Sequence, residues 1–294
     1  MAKANNSQNV SFGKPKVGGA VFRAPMGTPL PQNATDPLDD AYENVGYISD
    51  AGVTNTTDAE TASITEWGGL TVLTVVSSTS ETYGFTMIET REESAKVRFG
   101  DSNVKADELG NLSIDHNGLP SDMSQYVIES ILTGNRPDRY VIPSATVTEV
   151  EETSLNSSDA KGWGVTLAAN ADDRIGGATS REYIAAIVDK VELTLAEGDT
   201  APKTNMAPEE TQTLAVKATP SGASDPVKVT TGFTVQSSDP ATIAVEGNVI
   251  TAKKDGKATV FVYVANNTLS LEITVATAKA AMTVARTRTA KTSK

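Results

Sequence analysis

The chain has 294 residues, with 37 acidic against 25 basic side chains, one histidine, no cysteine and a formal charge of −12. That length suggests about two domains. The missing cysteines exclude disulfides, thiolate zinc sites and cysteine nucleophiles while leaving the redox compartment open, and a lone His116 excludes a His-rich metal site. The acidic balance argues against a protein built to grip a phosphate backbone, since that affinity comes mostly from Lys and Arg. Residues 1–10 hold no apolar run of signal-peptide length, and no stretch approaches the roughly 20 apolar residues of a membrane span. A soluble protein without a membrane partner is expected.

The charge is uneven. Residues 1–188 carry 26 acidic and 13 basic side chains, a net −13, whereas residues 189–294 carry 11 and 12, a net +1. Between Arg23 and Arg91 there is no basic residue, but there are ten carboxylates from Asp36 to Glu89. With 38 Thr and 28 Val the composition favours strands, because both residues are stiff at the first side-chain torsion and fit pleated surfaces.

In chain order, the sequence predicts an extended arm over 1–23 and long polar loops over about 24–41 and 52–66. Loops of that length are usually functional or ordered by a partner. Short strands are predicted over 43–49, 69–77, 82–89, 125–132, 139–142, 146–152, 164–169 and 181–188. Turn signals lie between them at Asn117-Gly118, Gly134-Asn135-Arg136-Pro137 and Asp172-Asp173. One helix is predicted over 91–99, with Thr90 and Glu93 forming a capping box. From 189 onward the pattern becomes period-two alternation, clearest in Val260, Val262 and Val264 and in Leu269, Leu271, Ile273 and Val275. With strands at 191–195, 214–218, 227–235, 242–245 and 249–252, about seven strands indicate an immunoglobulin-like sandwich over 189–276. Residues 277–294, where Lys279, Arg286, Arg288, Lys291 and Lys294 stand without an acid, read as a basic disordered tail.

Two resemblances are carried by ordered blocks. Ser237-Ser238-Asp239-Pro240-Ala241-Thr242-Ile243-Ala244-Val245, Gly247-Asn248-Val249-Ile250-Thr251-Ala252 and Gly256-Lys257-Ala258-Thr259-Val260 together resemble the bacterial Ig-like domain of group 2, with Val235 where that family usually has Trp. Residues 1–188 resemble the major tail tube protein of long, non-contractile-tailed bacteriophages. That likeness rests on the arm around residues 17–22, the polar loop before Trp67, the strand pair over 71–89 with its following helix, Arg139-Tyr140-Val141-Ile142-Pro143, Ala145-Thr146-Val147-Thr148-Glu149-Val150 and the run from Gly162 to Asp172.

The resemblance implies a mainly β fold: a tail-tube β-sandwich or barrel with one flanking helix, followed by an Ig-like sandwich. It implies a structural virion protein of a siphophage tail, with homohexameric rings stacked into the conduit for DNA ejection and Ig-like domains on the outside. The implied partners are copies of itself, the tape measure, tail terminator and distal tail proteins, DNA in passage without specific binding, and host cell-surface glycans held weakly by the Ig-like domain. The implied location is the virion, with assembly in the host cytoplasm. Part of the base-free run over 24–90 is expected to face the bore, where cations would add phosphate contacts and slow the genome.

No catalytic, cofactor-binding or metal-binding residue is assigned, no cofactor is expected, and the chain is read as a non-enzyme. The pairs Asp39-Asp40, Glu92-Glu93, Glu151-Glu152 and Asp172-Asp173 lack a His, Ser or Gly-rich frame and read as solvated surface. His116 reads as a hairpin residue, and Trp67 and Trp163 as core or interface packing. Asn33-Ala34-Thr35 and Asn266-Asn267-Thr268 match glycosylation acceptors that mean nothing without secretion. The rival readings are a bacterial surface adhesin, weakened by the single Ig-like copy, and a glycan-active enzyme with an Ig-like accessory domain.

Overall fold

The computed structural model describes residues 10–16 and 18–277. Residues 1–9 and 17 of the expected arm and 278–294 of the expected basic tail lie outside the described residues. The chain divides into two units that meet between Val188 and Asp189.

The first unit contains β1 (Lys14–Pro15), β2 (Val21–Pro25), β3 (Glu43–Asn44), β4 (Ile48–Thr65), β5 (Thr71–Met87), α1 (Glu92–Phe99), β6 (Val104–Ala106), β7 (Leu112–Ile114), β8 (Met123–Leu132), β9 (Arg136–Val150), β10 (Trp163–Ala169) and β11 (Arg181–Ile184). Nine of these strands form one antiparallel sheet, in the order β3-β2-β8-β9-β10-β5-β4, with β1 on β8 and β11 on β9. Strands from both halves bury side chains in one core, where Val21, Tyr126, Ile128 and Ile142 join Phe85, Met87, Val165 and Leu167. The expected sandwich or barrel is thus a single continuous sheet curled over its core. Helix α1 closes that core with Ala95, Val97 and Phe99, the last meeting Trp163 edge-on at 5.7 Å between ring centroids.

Several expectations are corrected here. The segment over 52–66 is not a loop but most of β4, and the two strands predicted over 69–77 and 82–89 are one strand, β5. Neither face of this pair is buried from Thr54 to Ser80, so the apolar alternation that marks a half-buried strand has no reason to exist there. The strands predicted over 139–142 and 146–152 likewise fuse into β9. Its interior Pro143, which has no N–H to donate, falls where the β8–β9 register shifts between Ser124 and Tyr126. Thr90 and Glu93 do not cap α1: the Arg91 N–H donates to Ser94 Oγ at 3.1 Å, and Ser94 Oγ donates to the Glu89 carbonyl at 2.7 Å. His116 is not in a hairpin turn; it follows β7 and lies against Phe99 at 4.6 Å.

The second unit contains β12 (Val188–Leu195), β13 (Asn205–Met206), β14 (Thr211–Pro220), β15 (Val227–Val229), β16 (Thr234–Ser237), β17 (Ile243–Glu246), β18 (Val249–Ala252), β19 (Gly256–Val264) and β20 (Asn267–Val275). One sheet runs β12-β14-β18-β17 with β15 on β14, and another runs β13-β20-β19-β16. Leu214, Val216, Ile243 and Ile250 of the first sheet and Val260, Val262, Ile273 and Val275 of the second are buried. The strand predicted over 227–235 splits into β15 and β16, one in each sheet. Gly232, at φ +78°, supplies the left-handed turn between them that a β-carbon would oppose. Asp239 explains the Ser-Asp-Pro-Ala-Thr block, since its carboxylate accepts from the Ala241 N–H at 3.1 Å and the Thr242 hydroxyl at 2.6 Å.

Leu167 is fully buried at the centre of the first core. Leu167→Ala is expected to lower stability by about 2–5 kcal/mol, measured by urea unfolding followed through the fluorescence of the buried Trp163.

Candidate functional site

The prominent feature is the β4–β5 ribbon. Its register runs from Ile48 opposite Met87 to Thr65 opposite Thr71, and Tyr83, Phe85 and Met87 root it in the core. Outward from the Thr57–Glu81 pair every residue except the half-buried Glu81 is exposed. At about 3.3 Å per residue these nine positions carry the tip about 30 Å beyond its root. The composition changes along the arm. Asp58, Glu60, Ser78 and Ser80 sit near the root, whereas Ala62, Ile64, Leu73 and Val75 share one face further out, and Val72 and Val76 lie on the other. The tip is Glu66-Trp67-Gly68-Gly69-Leu70, closed by Glu66 N–H to the Leu70 carbonyl at 2.9 Å, with Trp67 fully exposed. A two-stranded ribbon in water is only marginally stable, and an exposed apolar patch of this kind marks an interaction surface.

The root is held by polar contacts. Glu81 accepts from Tyr83 Oη at 2.7 Å, Asn55 Nδ2 at 3.0 Å, and the hydroxyls of Thr179 and Ser180. Burial alone would raise this carboxyl, but those donors hold it below the ordinary carboxylate value.

The segment 26–42 has no regular structure, yet it is ordered within the subunit by two buried groups. Arg139 donates to the carbonyls of Asn33 at 2.7 Å and Asp36 at 2.8 Å while pairing with the buried Glu129, which Lys16 also reaches at 2.8 Å. Gln125 donates to Tyr42 Oη at 2.8 Å and the Thr28 carbonyl at 2.9 Å, and accepts from Arg174 at 3.0 Å and the Gly27 N–H at 3.2 Å. Every polar atom of that amide is used. Of the two alternatives expected for this loop, function or ordering by a partner, the second does not apply within these contacts, since its own subunit holds it.

Beside the root of the arm lies a cavity of about 950 Å3, walled by the strand β1 region, the start of β4, and parts of β8 and β9. Tyr83, Tyr140, Ile128 and Val53 line it together with Asp138. Asp138 is buried; its Oδ2 accepts from Ser130 Oγ at 2.8 Å, while its Oδ1 has no hydrogen-bond partner. Burial pushes this carboxyl above its ordinary value against the Ser130 hydrogen bond, and the nearby Glu182 adds to the rise.

The sequence candidates fall into place individually and are not brought together. Glu93 is not solvated: it is buried and holds Arg23 at 2.9 Å, with Asp101 on the other guanidinium nitrogen at 2.9 Å. Glu92 pairs with Lys96 along the helix, and Asp172 caps the turn at Asp173–Ile175 and binds Arg174. Trp163 is buried in the core, whereas Trp67 touches no core. Among the described residues no group of three or more His, Cys, Asp or Glu could hold a metal ion, and no helix is long and apolar enough to cross a membrane. The sequence missed the arm and the cavity. The only advance signal of the arm was the Trp-Gly-Gly tripeptide between two Thr-rich runs.

A family model described as phage tail tube protein matches residues 3–185, most of the first unit. No curated protein matches the chain.

Two outcomes test the site's polar anchors. Arg139→Ala, which strips the loop of both carbonyl contacts and weakens the pairing of buried Glu129, is expected to cost about 3–5 kcal/mol in chemical unfolding, with early proteolytic cleavage in 26–42. Because the folded Asp138 carboxyl titrates higher than the unfolded one, its favourable contribution is full below the unfolded value and lost as pH rises through the folded value. Asp138→Asn is thus expected to match the parent near about pH 4 and to exceed its stability increasingly as pH rises toward neutrality.

Proposed function

The chain belongs to the phage tail tube protein family, and from that premise we propose that it is the structural subunit of a siphophage tail tube, polymerising as hexameric rings that stack into the conduit for DNA ejection. The observation that carries the reading is the β4–β5 arm, whose exposed distal side chains have nothing in their own subunit to pack against. Among the described residues β4 pairs only with β5, so its outer edge also offers unpaired backbone groups. An arm that leaves one subunit and docks on a different surface of the next is a heterologous contact, the kind that closes rings or extends filaments. Unpaired strand edges supply the matching backbone contacts.

The mechanism is assembly and passage, without chemistry on a substrate. The curled sheet forms the wall and its core keeps the wall rigid. Part of the base-free run over 24–90 faces the bore, where its carboxylates repel the phosphates of the passing genome and leave it unbound. The tube ends against tape measure, tail terminator and distal tail proteins, and it assembles in the host cytoplasm before residing in the virion. The second unit, 189–276, is an Ig-like module of the bacterial group 2 type displayed on the tube exterior. On its β19 the rings of Phe261 and Tyr263 lie 6.5 Å apart and alternate with the buried Val260, Val262 and Val264, so they stand on the outer face. That pair favours weak stacking contacts with host-surface glycans. Family membership supports this reading over a free-standing adhesin or a glycan-active enzyme.

Negative-stain and cryo-electron microscopy of the purified chain test it. Joining Thr57 directly to Glu81 through an Asn-Gly turn is expected to leave a folded monomer that forms no tubes. Deleting 189–294 is expected to leave tubes of the same bore with a thinner outer profile. A tube map with Lys and Arg lining the bore and the 24–90 run outside would overturn the passage mechanism.

A further inference from the structure

We propose that Asn117-Gly118 is a self-modification site, where the Gly118 nitrogen attacks Asn117 Cγ and the carboxylate finally formed unfastens the 115–122 loop from the end of α1. This is the only Asn-Gly pair in the chain. Asn-Gly commonly closes a two-residue hairpin, but here it lies between β7 and β8, which do not pair with each other, so a hairpin does not account for it. Both residues are exposed, and Gly118 sits at φ +94° with open space where a β-carbon would stand. Among the described residues its N–H donates to no acceptor. The attacking nitrogen is therefore neither screened by a side chain nor held in a hydrogen bond. Water is the sole co-reactant. Gly118 N gives its proton to solvent base and bonds to Asn117 Cγ, the Cγ–Nδ2 bond breaks, and Nδ2 leaves as ammonia, which closes a succinimide ring. Water then adds to either ring carbonyl and opens the ring, leaving aspartate or isoaspartate at position 117 with no change of oxidation state.

The consequence follows from what Asn117 holds. Its Nδ2 donates to Asn103 Oδ1 at 2.8 Å, and Asn103 presents that oxygen because its own Nδ2 donates to the carbonyl of Phe99, the last residue of α1, at 2.7 Å. The Asn103 carbonyl also accepts from the Asp115 N–H at 2.8 Å. One residue thus ties the helix end to both the start and the middle of the loop. Replacing Asn117 Nδ2 by oxygen sets a carboxylate against the Asn103 amide oxygen, two acceptors with no proton between them. Flipping the Asn103 amide restores that contact only by turning its oxygen toward the Phe99 carbonyl. One of the two hydrogen bonds is lost in either orientation. The new charge also joins Asp115 and Asp122 on the same loop, so like-charge repulsion acts in the same direction.

The chemistry needs no assembly, so the purified full-length chain is the sample. It is incubated in mildly alkaline water enriched in oxygen-18 and mapped by tandem mass spectrometry of tryptic peptides. The exposed Asn156 and Asn170, which precede Ser157 and Ala171, serve as internal controls. Asn117 is expected to convert at least about ten-fold faster than either, because glycine alone leaves the attacking nitrogen unhindered. Each product is expected to carry one heavy oxygen, with isoaspartate detected by protein isoaspartyl methyltransferase. Conversion no faster than at the controls overturns the site, and aspartate formed without any isoaspartate overturns the succinimide route. Hydrogen exchange on the separated modified chain reads the second half of the proposal. The Asp115 N–H and its neighbours in 115–118 are expected to exchange several-fold faster than in the fresh chain, with β8 and β9 unchanged. Asn117→Asp, which installs the carboxylate without incubation, is expected to show the same local loosening. A loop as protected as the parent's in both samples overturns the unfastening while leaving the modification itself standing.

Discussion

The β4–β5 ribbon pairs its two strands from Ile48 to Thr65, but a ribbon has only two faces and no third layer. Beyond Thr57 nothing in its subunit can cover what it carries. That constraint organises the rest of the first unit. The core must root the ribbon firmly, and it does so with Tyr83, Phe85 and Met87, all nearly fully buried on alternate positions of β5. The root must also resist fraying, and Glu81, collecting hydrogen bonds from both β4 and the segment before β11, provides the anchor.

The same economy governs the irregular segment over 26–42. Its backbone carbonyls cannot find strand partners, so buried side chains supply donors instead, two from Arg139 and one from Gln125. Burying a guanidinium is costly unless its charge and its N–H groups are all answered. Here Glu129 answers the charge and the loop carbonyls answer the remaining donors, so the charge and the loop stabilise each other. A segment that reads as a floppy connection is thereby held fast within its own subunit.

The electrostatic pattern now has a physical setting. The ten carboxylates between Arg23 and Arg91 do not form a site. Some are structural, as Glu81 is, and others, such as Asp58, Glu60 and Glu66, ride exposed on the arm. On the proposed function, repulsion of phosphate requires only that cations be scarce along the surface facing the genome, and it asks nothing of carboxylate geometry. This is why a function of this kind leaves charge bias and no catalytic constellation in the sequence.

What the amino-acid sequence determined by itself was whatever depends on neighbours along the chain. The alternation in β19 and β20 and the existence of the small helix ending at Phe99 were legible because local pattern specifies them, although the expected Thr90–Glu93 cap was replaced by Ser94. The mainly β character and the tail tube resemblance were legible for the same reason. What only the tertiary structure decided is whatever depends on burial. Residues 52–66 form a strand because they pair with β5, not because their own pattern asks for it, and no apolar period is written where neither face is covered. Glu93 and Glu129 look like surface acids in the sequence and are interior ones, because Arg23 and Arg139, 70 and 10 residues away, meet them there. Trp67 and Trp163, each flanked by glycine, are indistinguishable in sequence. Folding places one in the core and one at the end of a 30 Å arm, since only pairing across the sheet sets how far a side chain stands from the core.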